Sequence, residues 1–205
     1  MKLYYAQGTC SLGIHVILEE IGKPYQTQAI SFANQEQYGD AFKAVNPKSK
    51  VPTLERDDGS VLTEFPAIAT WLALTNPDKH LLPNGPEGIA RALEAMDHVV
   101  ATLHMQGFGR LFRPGNFSPD ESQHEAVKGR GRELAEKAFG IIDQKLAGKE
   151  YLLGEFSIAD AALFYVEFWA AKRMNLPLPA NCQKHFNTMM ARPAVKSVLA
   201  AEGLA

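Results

Sequence analysis

The chain has 205 residues, 46% of them hydrophobic and 21% charged, with a formal net charge of −2. This is the balance of an ordinary globular protein, long enough for one large core or two smaller ones. It excludes a basic stripe for nucleic acid, because the 21 Lys and Arg are scattered, and a membrane span, because no apolar run approaches the roughly 20 residues a bilayer requires.

The first predicted element is the short apolar strand at Lys2-Leu3-Tyr4-Tyr5. It ends in the polar turn Ala6-Gln7-Gly8-Thr9, which delivers Cys10 and Ser11 to a helix over Leu12 to Ile21. Ile14, Ile17, Leu18 and Ile21 follow the i, i+3, i+4, i+7 spacing of one buried face, with Glu19, Glu20 and Lys23 on the other side. A thiol at that helix start meets backbone N–H groups without intrahelical partners and the positive end of the dipole, and both favour the reactive thiolate. The competing reading is an inert cysteine that happens to cap a helix.

A second strand over Tyr25 to Ile30 follows the Gly22-Lys23-Pro24 break. It makes the front of the chain a strand–helix–strand unit with a right-handed crossover and parallel strands. A short helical piece through Gln37 to Ala44 precedes Asn46-Pro47-Lys48-Ser49-Lys50-Val51-Pro52. Pro52 stands at the start of a strand, where it belongs on an edge or at a bend. Asp57-Asp58-Gly59 supplies the positive φ of a hairpin turn joining Thr53–Arg56 to Ser60–Leu62. Thr63-Glu64-Phe65-Pro66 then opens a helix to Thr75, with its proline in the first turn.

Prolines and a glycine within Asn76 to Pro86 mark a boundary. The expected partition is a domain over 1–78, a linker over 79–86 and a second domain over 87–205. Past the linker only helical periodicity remains, in long runs from Glu87 to Phe112, Pro119 to Leu146 and Ser157 to Arg173, with shorter helices from Lys184 and Pro193. Strand–helix alternation followed by helices alone implies an α/β domain joined to an all-α one. Ser157-Ile158-Ala159-Asp160 reads as a capping box heading a helix apolar nearly all round, a folding signal rather than a catalytic one. Gly107 and Gly109 interrupt the first long helix, which predicts a kink or a close backbone approach beside His104.

With these residues placed, the chain resembles the glutathione transferases, and among them the bacterial beta class. The resemblance rests on Met1–Leu12 with its Gly-x-Cys-Ser-Leu turn, on Asn46-Pro47-x-x-x-Val51-Pro52, and on Leu62-Thr63-Glu64-x-x-Ala67-Ile68. Ser157-x-x-Asp160, Arg192-Pro193-Ala194-Val195 and Ala201-Glu202-Gly203-Leu204 extend it along the whole chain in the right order. It implies a thioredoxin-like N-terminal domain with a cis-proline at Pro52, an all-helical C-terminal domain holding a second-substrate pocket, and a homodimer that binds glutathione.

By family position, Cys10 faces the glutathione sulfur and Ser11 is the competing hydroxyl. Val51, flanked by Lys50 and Pro52, offers its backbone to the cysteinyl part. Glu64 and Phe65 hold the γ-glutamyl end at a helix N-terminus. His104 lies near the active-site cysteine, and Asp97 reaches glutathione across the dimer interface. Tyr5 reads as core or wall of the site rather than as a catalyst. Three departures stand out: Phe65 replaces a Ser or Gly, Met105 replaces a lysine, and Asn34 and Gln35 fall where another lysine is expected. Each lost charge-assisted bond weakens glutathione binding by about 1.5–3 kcal/mol.

The expected activity is transfer of the glutathione thiol to small apolar electrophiles, with Phe108, Phe112 and Phe117 read either as lining their site or as plain core packing. The alternatives are glutathione-dependent thiol–disulfide exchange through Cys10 and a ligand-binding protein without turnover. No metal is expected, since His80, His98, His124 and His185 lack ligand spacing and neither His-Glu-x-x-His nor Cys-x-x-Cys occurs. His15 and Glu19 read as an i, i+4 surface pair. Cys182 reads as incidental. No secretory signal is visible at the N-terminus and two distant cysteines make no disulfide framework, so a reducing, cytoplasmic setting is expected. No nucleic-acid or membrane partner is expected.

Overall fold

The computed structural model describes residues 1–205 and divides into two compact units, Met1–Pro83 with Met189–Ala205, and Asn84–Thr188. The first unit is built on a four-stranded sheet of order β2-β1-β3-β4. Its strands are β1 (Lys2–Tyr5), β2 (Gln26–Ala29), β3 (Thr53–Glu55) and β4 (Val61–Thr63). β1 runs parallel to β2 and antiparallel to β3, and β4 returns antiparallel to β3, with Leu3 opposite both Thr27 and Leu54. This is the thioredoxin-like half of the expected fold.

The period-2 alternation of β1 decides which face each core occupies. Leu3 and Leu54 are fully buried, as are Ile14, Ile17, Ile68 and Leu72 of the helices α1 (Ser11–Ile21) and α3 (Phe65–Leu74). Tyr4 points the other way and joins Ala6, Ile30, Phe42 and Val51 in a second cluster, with Phe42 carried by α2 (Asp40–Val45). The single apolar stripe expected on α1 understates its burial: Ser11 through Leu18 are all buried. The cause is α9 (Pro193–Ala201), which packs on α1 from far along the chain, with Arg192 Nε donating to Glu20 at 2.7 Å across 172 positions and Ser197 Oγ to Glu19 at 2.7 Å across 178. The sequence partition places these residues in the helical domain; by contact they belong with the sheet.

The second unit is all helical. α4 (Gly85–Asp97) runs on through a π-helical stretch, His98–Phe108, into α5 (Gly109–Phe112). α6 (His124–Lys145) lies along that stretch, and α7 (Ile158–Phe168) is buried at every position and ends in a π turn, Trp169–Arg173. α8 is Ala180–Ala191. The expected interruption at Gly107 and Gly109 is therefore a change of hydrogen-bonding period, with the Gly109 N–H reaching back five residues to His104 O. No helix is long and apolar enough to cross a membrane.

Close backbone approach occurs here, and its central residue is on the partner helix. A Cβ on Gly131 of α6 would stand 2.8 Å from Arg110 Cβ and 2.9 Å from Gly107 O, while one on Gly107 would stand 3.3 Å from Ala135 Cβ. Gly131→Ala is therefore expected to destabilise by about 1–3 kcal/mol through overpacking, although Ala is the better helix former by up to ~1 kcal/mol. Denaturant unfolding followed by circular dichroism measures it, and a gain in stability would refute the close approach.

Candidate active site

The turn Ala6–Cys10 is held by short-range bonds that its own polar residues supply. Thr9 N–H donates to Ala6 O at 3.1 Å and Thr9 Oγ1 to the same carbonyl at 2.8 Å. Ser11 Oγ accepts from Ala6 N–H at 3.2 Å and lies 2.8 Å from Thr9 Oγ1. Ser11 is fully buried, and its hydroxyl fastens the turn. Its position one residue into the helix turns it toward β1.

Cys10 occupies the N-cap of α1 and is half-buried. Its Sγ donates to Val51 O at 3.3 Å, a bond that exists only while the thiol keeps its proton. Val51 precedes a cis peptide bond to Pro52, as the family pattern implies. The loop presenting it is stitched by Asn46, whose buried Nδ2 donates to Lys50 O and to Thr53 Oγ1, both at 2.8 Å, while its Oδ1 accepts Lys48 N–H at 3.0 Å. The asparagine of the motif thus fixes the loop, and Lys50 contributes its carbonyl with its side chain in solvent.

Glu64 caps α3 with φ of 70°, an uncommon conformation for a residue other than glycine. Its carboxylate accepts from Lys48 Nζ at 2.7 Å, an exposed pair. Phe65 follows as the first helical residue with its ring buried in the core, 4% exposed. What the helix start offers outward at that position is backbone, as the loss of the usual hydroxyl implies. Tyr5 is half-buried with its ring 5.5 Å from that of His15. Burial, and then the charge of Glu202, push its hydroxyl above the usual tyrosine range, so it stands as a neutral group.

Tyr5, Cys10, Ser11, Lys50, Val51, Pro52, Glu64 and Phe65 all lie in the first unit, whereas Asp97 and His104 belong to the second. Asp97 is the exposed last residue of α4. His104 sits on the π-helical stretch, its Nδ1 3.1 Å from Tyr165 Oη and its ring edge-on to Trp169 at 4.7 Å. Phe108 and Phe112 pack on the same indole at 5.6 and 5.3 Å. Phe112, Phe117 and Met105 are partly exposed there, while Phe108 is core. Arg110 lies over the Phe117 ring at 4.2 Å.

Two sets of residues escaped the sequence reading. His15 is buried and its Nδ1 pairs with Glu202 at 2.9 Å, not with Glu19, which accepts from Tyr25 Oη at 2.9 Å. The spacing that suggested a surface pair is real, but α9 covers that side of the helix. In the second unit, His185 lies between Glu167 at 2.8 Å and Asp160 at 3.3 Å, all buried. Burial works against its charge, yet the Glu167 and Asp160 carboxylates outweigh it and raise the imidazole to about 10. Cys182 is fully buried, and burial followed by the Glu167 charge pushes its thiol up, which suits an inert packing role. No pattern in the chain joins residues 18 to 187 positions apart.

The glutathione S-transferase N-terminal domain model matches residues 8–75, and the C-terminal domain model matches residues 91–193. A glutathione S-transferase of Escherichia coli O157:H7, GstA, is 37% identical, with all of both chains covered. One of Xanthomonas campestris, GST-4.5, is 30% identical over all of both chains. Among solved structures, the bacterial transferase BphK in a ternary complex superposes with a TM-score of 0.89 at 33% identity, covering all of both chains. A sphingomonad glutathione S-transferase complexed with glutathione superposes with a TM-score of 0.85 at 31% identity, again over all of both chains. With both halves of the fold, the Cys10 turn and the cis-Pro52 loop in place, the chain belongs to the glutathione S-transferase family.

Proposed function

We propose that this chain is a glutathione transferase that joins the glutathione sulfur to small apolar electrophiles, acting as a homodimer in a reducing, cytoplasmic setting. The observation that carries the reading is the placement of Cys10. A half-buried thiol at a helix N-terminus lies 3.3 Å from the Val51 carbonyl, beside cis-Pro52. A peptide thiol laid along the Val51 backbone meets the positive end of the α1 dipole, which favours its thiolate. The backbone at the start of α3 suits the γ-glutamyl carboxylate, with Lys48 at its edge to meet that carboxylate and Glu64 to meet the ammonium. In the second unit, Met105, Phe112 and Phe117 expose apolar surface of the kind a small electrophile requires. The protein's task is to hold the thiolate and the electrophile together; a new S–C bond forms as the leaving group departs. The reading implies a role in detoxification.

Calorimetric titration of the reduced protein with glutathione tests this directly. Binding of millimolar strength or tighter is expected, about −4 kcal/mol or better. Absence of heat from a folded protein would sink the proposal.

A further inference from the structure

The turn that carries Cys10 is gripped from outside by Glu202. The Glu202 side chain is wholly buried and that of His15 is 4% exposed. One carboxylate oxygen of Glu202 accepts the Gly8 N–H at 2.7 Å and the other accepts from His15 Nδ1 at 2.9 Å. The backbone carbonyl of Glu202 accepts from Gln7 Nε2 at 2.6 Å. Gly203 follows with φ of +67°, and a Cβ there would meet Gln7 Nε2 at 3.4 Å, so a glycine lets the chain turn its carbonyls onto Gln7. Tyr5 and Tyr25 flank the His15 ring at 5.5 and 5.7 Å and leave the imidazole little freedom.

Three bonds from one residue therefore fall on Gln7, Gly8 and the first turns of α1. Gln7 and Gly8 are the residues of the turn that Thr9 and Ser11 do not fasten, since those bonds close on Ala6. Removing Glu202 takes away the carboxylate acceptor that lies 2.7 Å from the buried Gly8 N–H, and hydrogen bonds to charged groups are among the stronger ones. Cys10 stands two residues on, with its sulfur on Val51 O. We propose that Glu202, locked by His15, is a positioning residue for transfer: it fixes the Gln7–Gly8 turn and thereby where the Cys10 sulfur and the start of α1 meet the substrate thiol. This rests on the reading of the Cys10 turn as the thiol site. Glu202 itself touches neither Cys10 nor Val51 and acts through the turn.

The test compares Glu202→Ala and Glu202→Gln with the wild type in steady-state transfer of glutathione to an activated aryl chloride, and in alkylation of Cys10 by iodoacetamide, followed on the Cys10 peptide. Gln keeps an oxygen for Gly8 N–H and a donor for the other tautomer of His15, so it preserves the geometry without the charge. Glu202→Ala is expected to lose about 100-fold in kcat, more than loss of the Cys10 sulfur alone because the start of α1 is displaced with it, with the glutathione KM within about threefold, the signature of misplacement rather than lost binding. Its Cys10 is expected to alkylate about tenfold faster, freed from the Val51 carbonyl. Glu202→Gln is expected to restore kcat to within about fivefold of wild type. Should Glu202→Ala fail to fold, Gln7→Ala removes the bonds from the exposed Gln7 side chain to the Glu202 and Gly203 carbonyls and is expected to lower kcat about fivefold at unchanged KM.

A folded Glu202→Ala enzyme with wild-type kcat overturns the proposal. So does a Gln variant as poor as the Ala one, or a loss of activity that merely follows the folded fraction while Cys10 alkylates at the native rate. If the wild type transfers no glutathione, the functional reading fails on its own. The alkylation ratio then decides the clasp, and a ratio near one overturns it.

Discussion

Asp160→Ala is expected to cost about 3–5 kcal/mol, a large share of the ~5–15 kcal/mol that holds a domain together. The Asp160 carboxylate is fully buried and accepts from four donors. Oδ2 takes Ser157 N–H and Ser157 Oγ–H, both at 2.9 Å, closing the capping box; Oδ1 takes Leu152 N–H at 2.8 Å and faces His185 Nε2 at 3.3 Å. An ordinary cap contributes about 1 kcal/mol. Here truncation also strands the Leu152 amide and leaves His185 with only Glu167 to balance its charge. Glu167 is a weakened partner, because burial pushes its carboxyl up to about 7 against the pull of His185. Asp160→Asn preserves shape but presents an NH2 group to donors on one side, so it is expected to lose somewhat less. Urea unfolding followed by far-ultraviolet circular dichroism measures both. A loss below about 1 kcal/mol for Asp160→Ala would reduce the cluster to an ordinary cap.

Cys10→Ser is expected to separate two chemistries by about three orders of magnitude. In disulfide exchange the Cys10 sulfur attacks a glutathione mixed disulfide, takes up one glutathione and expels the other thiolate; a second glutathione then resolves it, because no Cys-x-x-Cys supplies an internal thiol. A hydroxyl cannot enter that sequence, and the rate should fall by about 1000-fold or more. In conjugation the nucleophile belongs to glutathione. Serine is a good N-cap residue and its hydroxyl can donate to Val51 O as the thiol does, so the turn should survive. Transfer to an aryl chloride is expected to stay within about tenfold of wild type. Parallel assays of the two reactions on one preparation check it, and an equal collapse of both would move the chemistry of conjugation onto Cys10 itself.

Much of the fold was legible because local physics and global packing agree in these stretches. The apolar start of β1, Gly22 in its left-handed cap at φ 72° and the Asp-Gly hairpin each announce their structure within a few residues. The capping box was equally plain, and α7 is buried all round as its composition demands. Boundaries slipped by small amounts where the signals are weak: α4 begins at Gly85 and α8 at Ala180, earlier than expected from Glu87 and Lys184.

The geometry of the candidate site was legible in part. Cys10, Val51 and Pro52 come together as the motifs imply. Ser11 is buried beside them, because one step along a helix rotates its side chain into the turn.

By itself the sequence determined the two-part architecture and the strand, turn and helix that carry Cys10, because those depend on short-range patterns, while the cis bond before Pro52 was implied by the family resemblance. Only the tertiary structure decided who holds them. Glu202 meets Gly8 and His15 across 194 and 187 positions, and His185 meets Asp160 and Glu167 across 25 and 18. Such pairs leave no period in the chain. They are created when packing removes water from both partners at once, and each becomes the acceptor or donor the other can no longer find in solvent.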